Sequence, residues 1–357
     1  MSISLLNVFI LSETNILMKI LEVDLPKKVV IGPDALKKIG SVCEELDLEG
    51  SAAVFTDEGI MKLFGDKLSE VLKSHDYKVN FKIIPKKIEI DQLILNSCDF
   101  TIGLGGGRSV DAAKMAAKKS DIPFISVPTA ISHDGIASDR AVIDVYSIPA
   151  VMPTAVVIDT DIILKSPYRL IASGCGDAIA KFTAVADWEL SHEKTGEYIS
   201  EYAASINKTS AYLILKSAKS IRELERRGLR NLIEALVFSG ISMSIAGSSR
   251  PASGSEHLFS HALKKIYPQK TSLHGEECGL GTILCSYLHG MDWQKVAKAL
   301  NIIGAPTNDE KINIPKNIIV KALSEAKRIR TDRYTILNYK DVDMKKAEEA
   351  ARVTGVI

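Results

Sequence analysis

The chain changes texture near Pro167. Upstream, short apolar runs alternate with helix-like stretches. Val29 to Ile31, Ala52 to Phe55, Val79 to Ile84, Asp99 to Leu104 and Pro123 to Val127 read as strands. Between them lie ALKKIGSVCEEL, with Asp34 as its expected cap, a segment from about Glu58 to Ser74, and SVDAAKMAAKKS. Parallel strands need a crossover and a helix commonly supplies it, so this alternation predicts a mostly parallel sheet with helices on both faces. Residues 140–159 read as a β-excursion that ends in AVVID. Downstream, strand signals nearly vanish. Helical patterns cover 176–191, 197–219, 228–246, 254–266 and 275–289, with two or three more to the end. The expected fold class is α/β plus all-α. A Rossmann-like parallel-sheet nucleotide-binding domain spans 18–166, a helical domain spans 167–357, and the site lies in the cleft between them.

Composition narrows the function classes. The 357 residues carry 45 Lys and Arg against 44 Asp and Glu, a formal charge of +1. Without a basic excess there is little counterion release to drive, so nucleic acid is not an expected partner. Hydrophobic residues make up 46%, which excludes a disordered chain, and the length exceeds what one core usually supports. Cys43, Cys98, Cys175, Cys278 and Cys285 contain no CxxC pair, which suits a reducing, cytoplasmic setting. Residues 1–17 read as an N-terminal extension ahead of a start at Met18. The alternative is an amphipathic arm for subunit contacts. Their apolar run lacks a basic start and is broken by Glu13 and Asn15, unlike a signal peptide or a membrane span. No segment reaches twenty uninterrupted apolar residues, so no membrane anchor is expected.

Four clusters carry chemistry. In IGLGGGRSVDAAK, Ile102 to Lys114, three glycines follow a strand and precede a helix starting near Ser109. Glycine lets backbone approach a phosphate, and a helix N-terminus offers free N–H groups and a positive dipole end. This is neither a GxGxxG fingerprint nor a P-loop, and a tight turn alone also explains it. Asp57 ends an early strand and reads equally as a ribose ligand or a helix N-cap. The loop VPTAISHDGIASDRA offers Thr129, Ser132, His133, Asp134, Ser138 and Asp139, which suits a ligand cleft better than a connector. Finally, Asp177 is expected to open a helix after SGCG. His257 and His261 lie four apart on one helix face, and His274 follows. Three of seven histidines fall within eighteen residues. Two imidazoles, a carboxylate and an open position match a catalytic zinc-type site, although each histidine alone has an ordinary core or surface reading.

GGGRSVDAAK, PTAISHDGIAS, GCGDAIAK, GSEHLFSHAL and LHGEECGLGT together resemble the glycerol dehydrogenase, dehydroquinate synthase and iron-type alcohol dehydrogenase superfamily. The resemblance runs from about Met18 over nearly the whole chain. In order and spacing it is most similar to the archaeal branch that reduces dihydroxyacetone phosphate to sn-glycerol 1-phosphate for membrane ether lipids. It implies an oxidoreductase using NAD(H) or NADP(H), with no ranking of the two, and one Zn2+ per subunit. It further implies that Asp57 binds the adenosine ribose and that Gly107, Arg108, Ser109, Val110 and Asp111 hold the pyrophosphate. Thr129, Ala130, Ile131 and Ser132 then face the nicotinamide half, and Ser138 is a further cofactor contact. Asp177, His257 and His274 become the metal ligands, while Asp134, Asp177 and His261 face the substrate. Asp134 and His261 are the candidate catalytic pair, with His261 equally able to orient substrate only. Three alternatives remain: a polyol dehydrogenase, a lyase of the dehydroquinate synthase type, and a non-catalytic nucleotide binder. The lyase relative usually offers Glu where Asp177 stands. A homo-oligomer is expected.

Overall fold

The computed structural model describes residues 22–85, 93, 95, 97–143 and 146–357. The expected extension over 1–17 lies outside the described residues. One sheet is built from six parallel strands: β1 (Lys28–Gly32), β2 (Ser51–Thr56), β3 (Lys78–Ile83), β4 (Phe100–Gly105), β5 (Phe124–Pro128) and β8 (Ala155–Asp159). Their order is β1-β8-β5-β4-β2-β3. The excursion before β8 forms an antiparallel hairpin of β6 (Arg140–Ile143) and β7 (Tyr146–Pro149). β2, β4, β5 and β8 are buried almost throughout, as strands covered on both faces must be.

Helices fill the crossovers: α1 (Ile39–Glu45), α2 (Asp66–Lys73) and α3 (Gly107–Ser120). Asp34 does not cap the first of them. It sits at φ 54 with no side-chain cap bond, and a 3-10 turn, Ala35–Lys38, leads into α1. Asp57 does cap, accepting the Ile60 N–H, and a π-helical turn at Met61–Gly65 separates this start from α2.

After α4 (Thr160–Lys165) the chain is helical: α5 (Tyr168–Thr195), α6 (Glu201–Arg222), α7 (Arg226–Ala246), α8 (Ser255–Ile266), α9 (His274–Leu288), α10 (Trp293–Ile303), α11 (Lys316–Glu325) and α12 (Met344–Val353). Left-handed glycines stop three of them, at Gly196, Gly247 and Gly304. Among the described residues, α7 is the one helix long and apolar enough to cross a membrane, and most of it is buried against its neighbours.

Cores join the two halves. Along β8, Ala155 and Val157 face the core beneath β2 and β4, whereas Val156 and Ile158 face the helical core. That alternation is the period-2 geometry of a strand. Ile131 and Ile136 also pack into the helical core. The sheet and the bundle therefore pack on one another through β8 and the loop after β5.

Candidate active site

The chain leaves β2 outward to β3 and returns across it to β4, so the strand order reverses between β2 and β4. In open α/β sheets the crevice outside such a reversal is where ligands bind. Asp57 follows β2 here and Gly106-Gly107 follow β4. Gly105 adopts φ 148, a backbone closed to side-chain-bearing residues, and turns the chain so that α3 starts beneath the crevice. α3 begins at Gly107 rather than near Ser109, which places Asp111 beyond its first turn. Asp111 accepts the Val142 N–H at 3.1 Å and so ties the β6–β7 hairpin to the loop.

A cleft of about 590 Å³ opens at this point. Asp57, Gly107, Arg108, Ser109, Asp111, Ala130 and Ser132 line it, all cofactor candidates from the sequence. His133, Ser173, Lys264 and His274 line it as well. The structure does not bring every candidate to its wall. Val110 and Ile131 have fully buried side chains in apolar cores. Thr129 is buried with its N–H on Gly105 O, and the buried Ser138 hydroxyl donates to Arg140 O.

The metal candidates converge from three helices. Asp177 lies inside α5, His257 in the first turn of α8 and His274 at the start of α9. Asp177 therefore does not open a helix. Gly174 and Gly176 are helical, because α5 runs against neighbouring backbone. A Cβ on Gly174 would lie 2.0 Å from Ile131 O, and one on Gly176 would lie 2.1 Å from Gly275 O. This close approach brings the carboxylate of Asp177 to the imidazoles. One ligand atom from each of Asp177, His257, His274 and Cys278 falls within 4.8 Å of the others. The ring centroids of His257 and His274 are 5.0 Å apart. His261 is outside this set, one turn farther along α8, with its ring 6.3 Å from that of His274.

Several residues missed by the sequence reading hold the cluster in place. Buried Glu256 accepts from His257 Nδ1 at 2.7 Å, which turns Nε2 toward Asp177 Oδ1, 3.4 Å away. Ser260 bridges His274 Nδ1 and Glu277, at 3.2 and 2.7 Å. Lys181, fully buried, lies 3.0 Å from Asp177 Oδ1 and 2.9 Å from Asp134 Oδ2. Asp134 also donates its backbone N–H to Asp177 and accepts from Ser239. Helical spacing contained part of this information. Lys181 is four residues from Asp177, and Cys278 is four from His274.

Charge in the cluster follows from burial and pairing. Burial raises the Asp177 carboxyl, but Lys181 and His257 outweigh it and hold the group well below the usual aspartate range. Burial works against a charged His257, yet Cys278, Asp177 and Glu256 outweigh it and raise the group well above the usual range. Burial and the charge on His257 push His274 well below it. Burial raises the Cys278 thiol as well, against the opposing pull of the charge on His257. His261 is pushed down to about 4 by burial, then by the charges of His257, Lys264, Arg333 and Arg330.

Comparison with known proteins shows the family and the fold. Residues 30–167 match the iron-containing alcohol dehydrogenase family. Glycerol-1-phosphate dehydrogenase (NAD(P)+) of Methanosarcina mazei is 47% identical over 343 residues, 93% of this chain and 96% of the relative. The protein of the same name from Thermococcus sibiricus is 44% identical over 345 residues, covering 94% and 98%. Among solved structures, glycerol dehydrogenase from Schizosaccharomyces pombe shares the fold, with a TM-score of 0.76 at 22% identity over 94% of this chain and 90% of that one. With relatives this similar along nearly its full length, the chain belongs to the glycerol-1-phosphate dehydrogenase family.

Proposed function

We propose that the protein reduces dihydroxyacetone phosphate to sn-glycerol 1-phosphate with NADH or NADPH, at a zinc centre held by Asp177, His257 and His274. The observation that carries this reading is the meeting of that donor cluster with the glycine loop and Asp57 around one cleft. The donors fit the metal: two imidazoles and a carboxylate converge, and proton loss from His257 accompanies binding. Bound there, zinc supplies Lewis acidity toward a ketone oxygen, and the reduced nicotinamide supplies hydride.

The chain's own residues do the positioning. The N-terminal end of α3 and the glycine backbone accept the cofactor's diphosphate, and Asp57 takes the adenine ribose. Glu256 and Ser260 fix the rings of His257 and His274. Lys181 locks Asp134 beside Asp177. Neutral His261 is suited to orienting the substrate by hydrogen bonding. Its burial works against the charged form, which disfavours it as the proton donor. Division of labour between residues 18–166 and 167–357 belongs to the same proposal, as does a cytoplasmic site of action, which five free thiols support. Exposed Tyr202 on α6 and Phe238 on α7 support self-association.

The test is to incubate zinc-loaded and metal-free protein with dihydroxyacetone phosphate and either cofactor. Metal-dependent, stoichiometric cofactor oxidation with the sn-1 isomer as product is expected. Product without net NADH consumption would assign a lyase instead, and absence of any turnover would overturn the proposal.

A further inference from the structure

Cys278 is the one member of the donor cluster that the zinc centre proposed above leaves without a role. It lies on α9 one turn after His274, so both side chains leave the same helix face. Glycine brings that face against α5. A Cβ on Gly176 would lie 2.1 Å from Gly275 O, and one on Gly279 would lie 3.3 Å from Gly176 Cα. Asp177 follows Gly176 and Cys278 precedes Gly279, so the contact of the two backbones brings the carboxylate and the thiol into one group. Both residues are fully buried. Among the described residues no other cysteine belongs to that group.

Separations inside the group are those of a four-coordinate metal. Tetrahedral bonds of about 2.3 Å to sulfur and about 2.0–2.2 Å to nitrogen and oxygen put S and N donors about 3.5 Å apart, and N and O donors about 3.4 Å apart. Cys278 Sγ is 3.5 Å from His274 Nε2, and His257 Nε2 is 3.4 Å from Asp177 Oδ1. The other ring nitrogens have partners outside the group: Glu256 accepts from His257 Nδ1, and Ser260 meets His274 Nδ1. Both Nε2 atoms are thereby left for a shared ion. His274 lines the cleft, whereas Cys278, one turn along, has no exposed surface and does not line it.

On the functional reading above, we infer that Cys278 is a fourth protein ligand of the zinc, bound through Sγ from the buried side while the cleft side stays open to the substrate. The S–Zn bond forms as the thiol proton leaves to solvent. A thiolate and the Asp177 carboxylate together balance the two charges of the ion in a buried site. Zinc tolerates a fifth ligand, so the sulfur stays bound when substrate enters. It also sets the metal preference: thiolate with two imidazoles suits zinc, whereas carboxylate, carbonyl and water suit manganese and magnesium.

Zinc-loaded wild type is measured by X-ray absorption at the zinc edge, and cobalt-substituted wild type and Cys278→Ser by optical absorption. Wild type should show one sulfur at about 2.3 Å and an intense near-ultraviolet sulfur-to-cobalt band, absent from Cys278→Ser. In chelator competition Cys278→Ser should lose zinc affinity by about tenfold or more, at least what loss of an outer partner costs. Its manganese affinity should fall by less than about threefold, since manganese prefers oxygen donors. Zinc bound by nitrogen and oxygen alone in wild type, a measurement that needs no variant, would overturn the inference and leave the three-ligand centre standing. So would a sulfur-to-cobalt band that survives in Cys278→Ser, or zinc and manganese affinities that fall together, which would assign Cys278 to packing. Wild type that binds no zinc in stoichiometric amount would overturn the functional reading and the fourth ligand together.

Discussion

Replacing Glu256 by Gln isolates the electrostatic hold on the candidate metal centre. Glu256 is fully buried, and its oxygens accept three contacts of 2.7 Å, from His257 Nδ1, Gly254 N–H and the Thr183 hydroxyl. Glutamine keeps the shape and one acceptor oxygen, and the Thr183 hydroxyl can rotate to accept from the new amide. What disappears is the negative charge that makes His257 a stronger ligand. Loss of such an outer partner weakens metal binding by about ten- to a hundredfold. That corresponds to about 1.4–2.7 kcal/mol. Metal-free stability should move less, by about 1 kcal/mol, because a neutral amide is easier to bury than a carboxylate. Glu256→Ala is a poorer probe, since it orphans three donors at about 1–3 kcal/mol each. Zinc affinity is measured by competition with a chromophoric chelator, and stability by thermal unfolding with and without a chelator. A folded Gln variant with wild-type zinc affinity within twofold would refute the reasoning. So would a variant whose metal-free stability falls as far as its affinity.

Asp57→Asn should leave thermal stability nearly unchanged, because Asn caps a helix as well as Asp. It should weaken NADH binding by about tenfold through loss of charge-assisted ribose contacts. Equal NADH affinity in both proteins, by fluorescence titration, would reduce Asp57 to a cap. Gly174→Ala drives a Cβ to 2.0 Å from Ile131 O and should destabilise by about 1–3 kcal/mol or more, read from urea unfolding; a neutral result would show that α5 can move aside. Asp187 is buried and accepts from His289, Ser255 N–H and Ile336 N–H. Burial raises its carboxyl, but His289 and these donors outweigh it and hold it below the usual 3.8. A depressed carboxyl contributes stability above its unfolded value and loses it as pH falls through the folded one. The stability gap between wild type and Asp187→Asn should therefore be full at pH 6 and shrink below about pH 4. A gap independent of pH would contradict the assignment.

Local patterns in the sequence carried the strands well, because a buried parallel strand is a short apolar run whatever surrounds it. Val29 to Ile31 and Ala52 to Phe55 each lie inside an observed strand. Asp34 was misjudged because a capping residue type also suits a left-handed turn, and the local sequence does not separate the two. Asp177 was misplaced at a helix start because glycines usually end helices. In GCG they instead let α5 press against Ile131 and Gly275, a contact whose partners lie 43 and 99 residues away in sequence. Val110, in the first turns of α3, and Ile131, in the loop after β5, both turn their side chains into apolar cores.

The sequence by itself determined the two textures, the strand–glycine–helix loop, and the supply of imidazoles and carboxylates, since each is a matter of short-range periodicity and residue chemistry. It also carried the family resemblance. Tertiary structure decided which donors meet. His257 and His261 share one helix face and are equivalent by spacing, yet only His257 faces Asp177, because α5 and α9 pack near the start of α8. The same packing buries Glu256, Lys181 and Cys278 beside the site. Those placements depend on contacts between segments some 40 to 100 residues apart, where backbone meets backbone at glycine, and no local period encodes them.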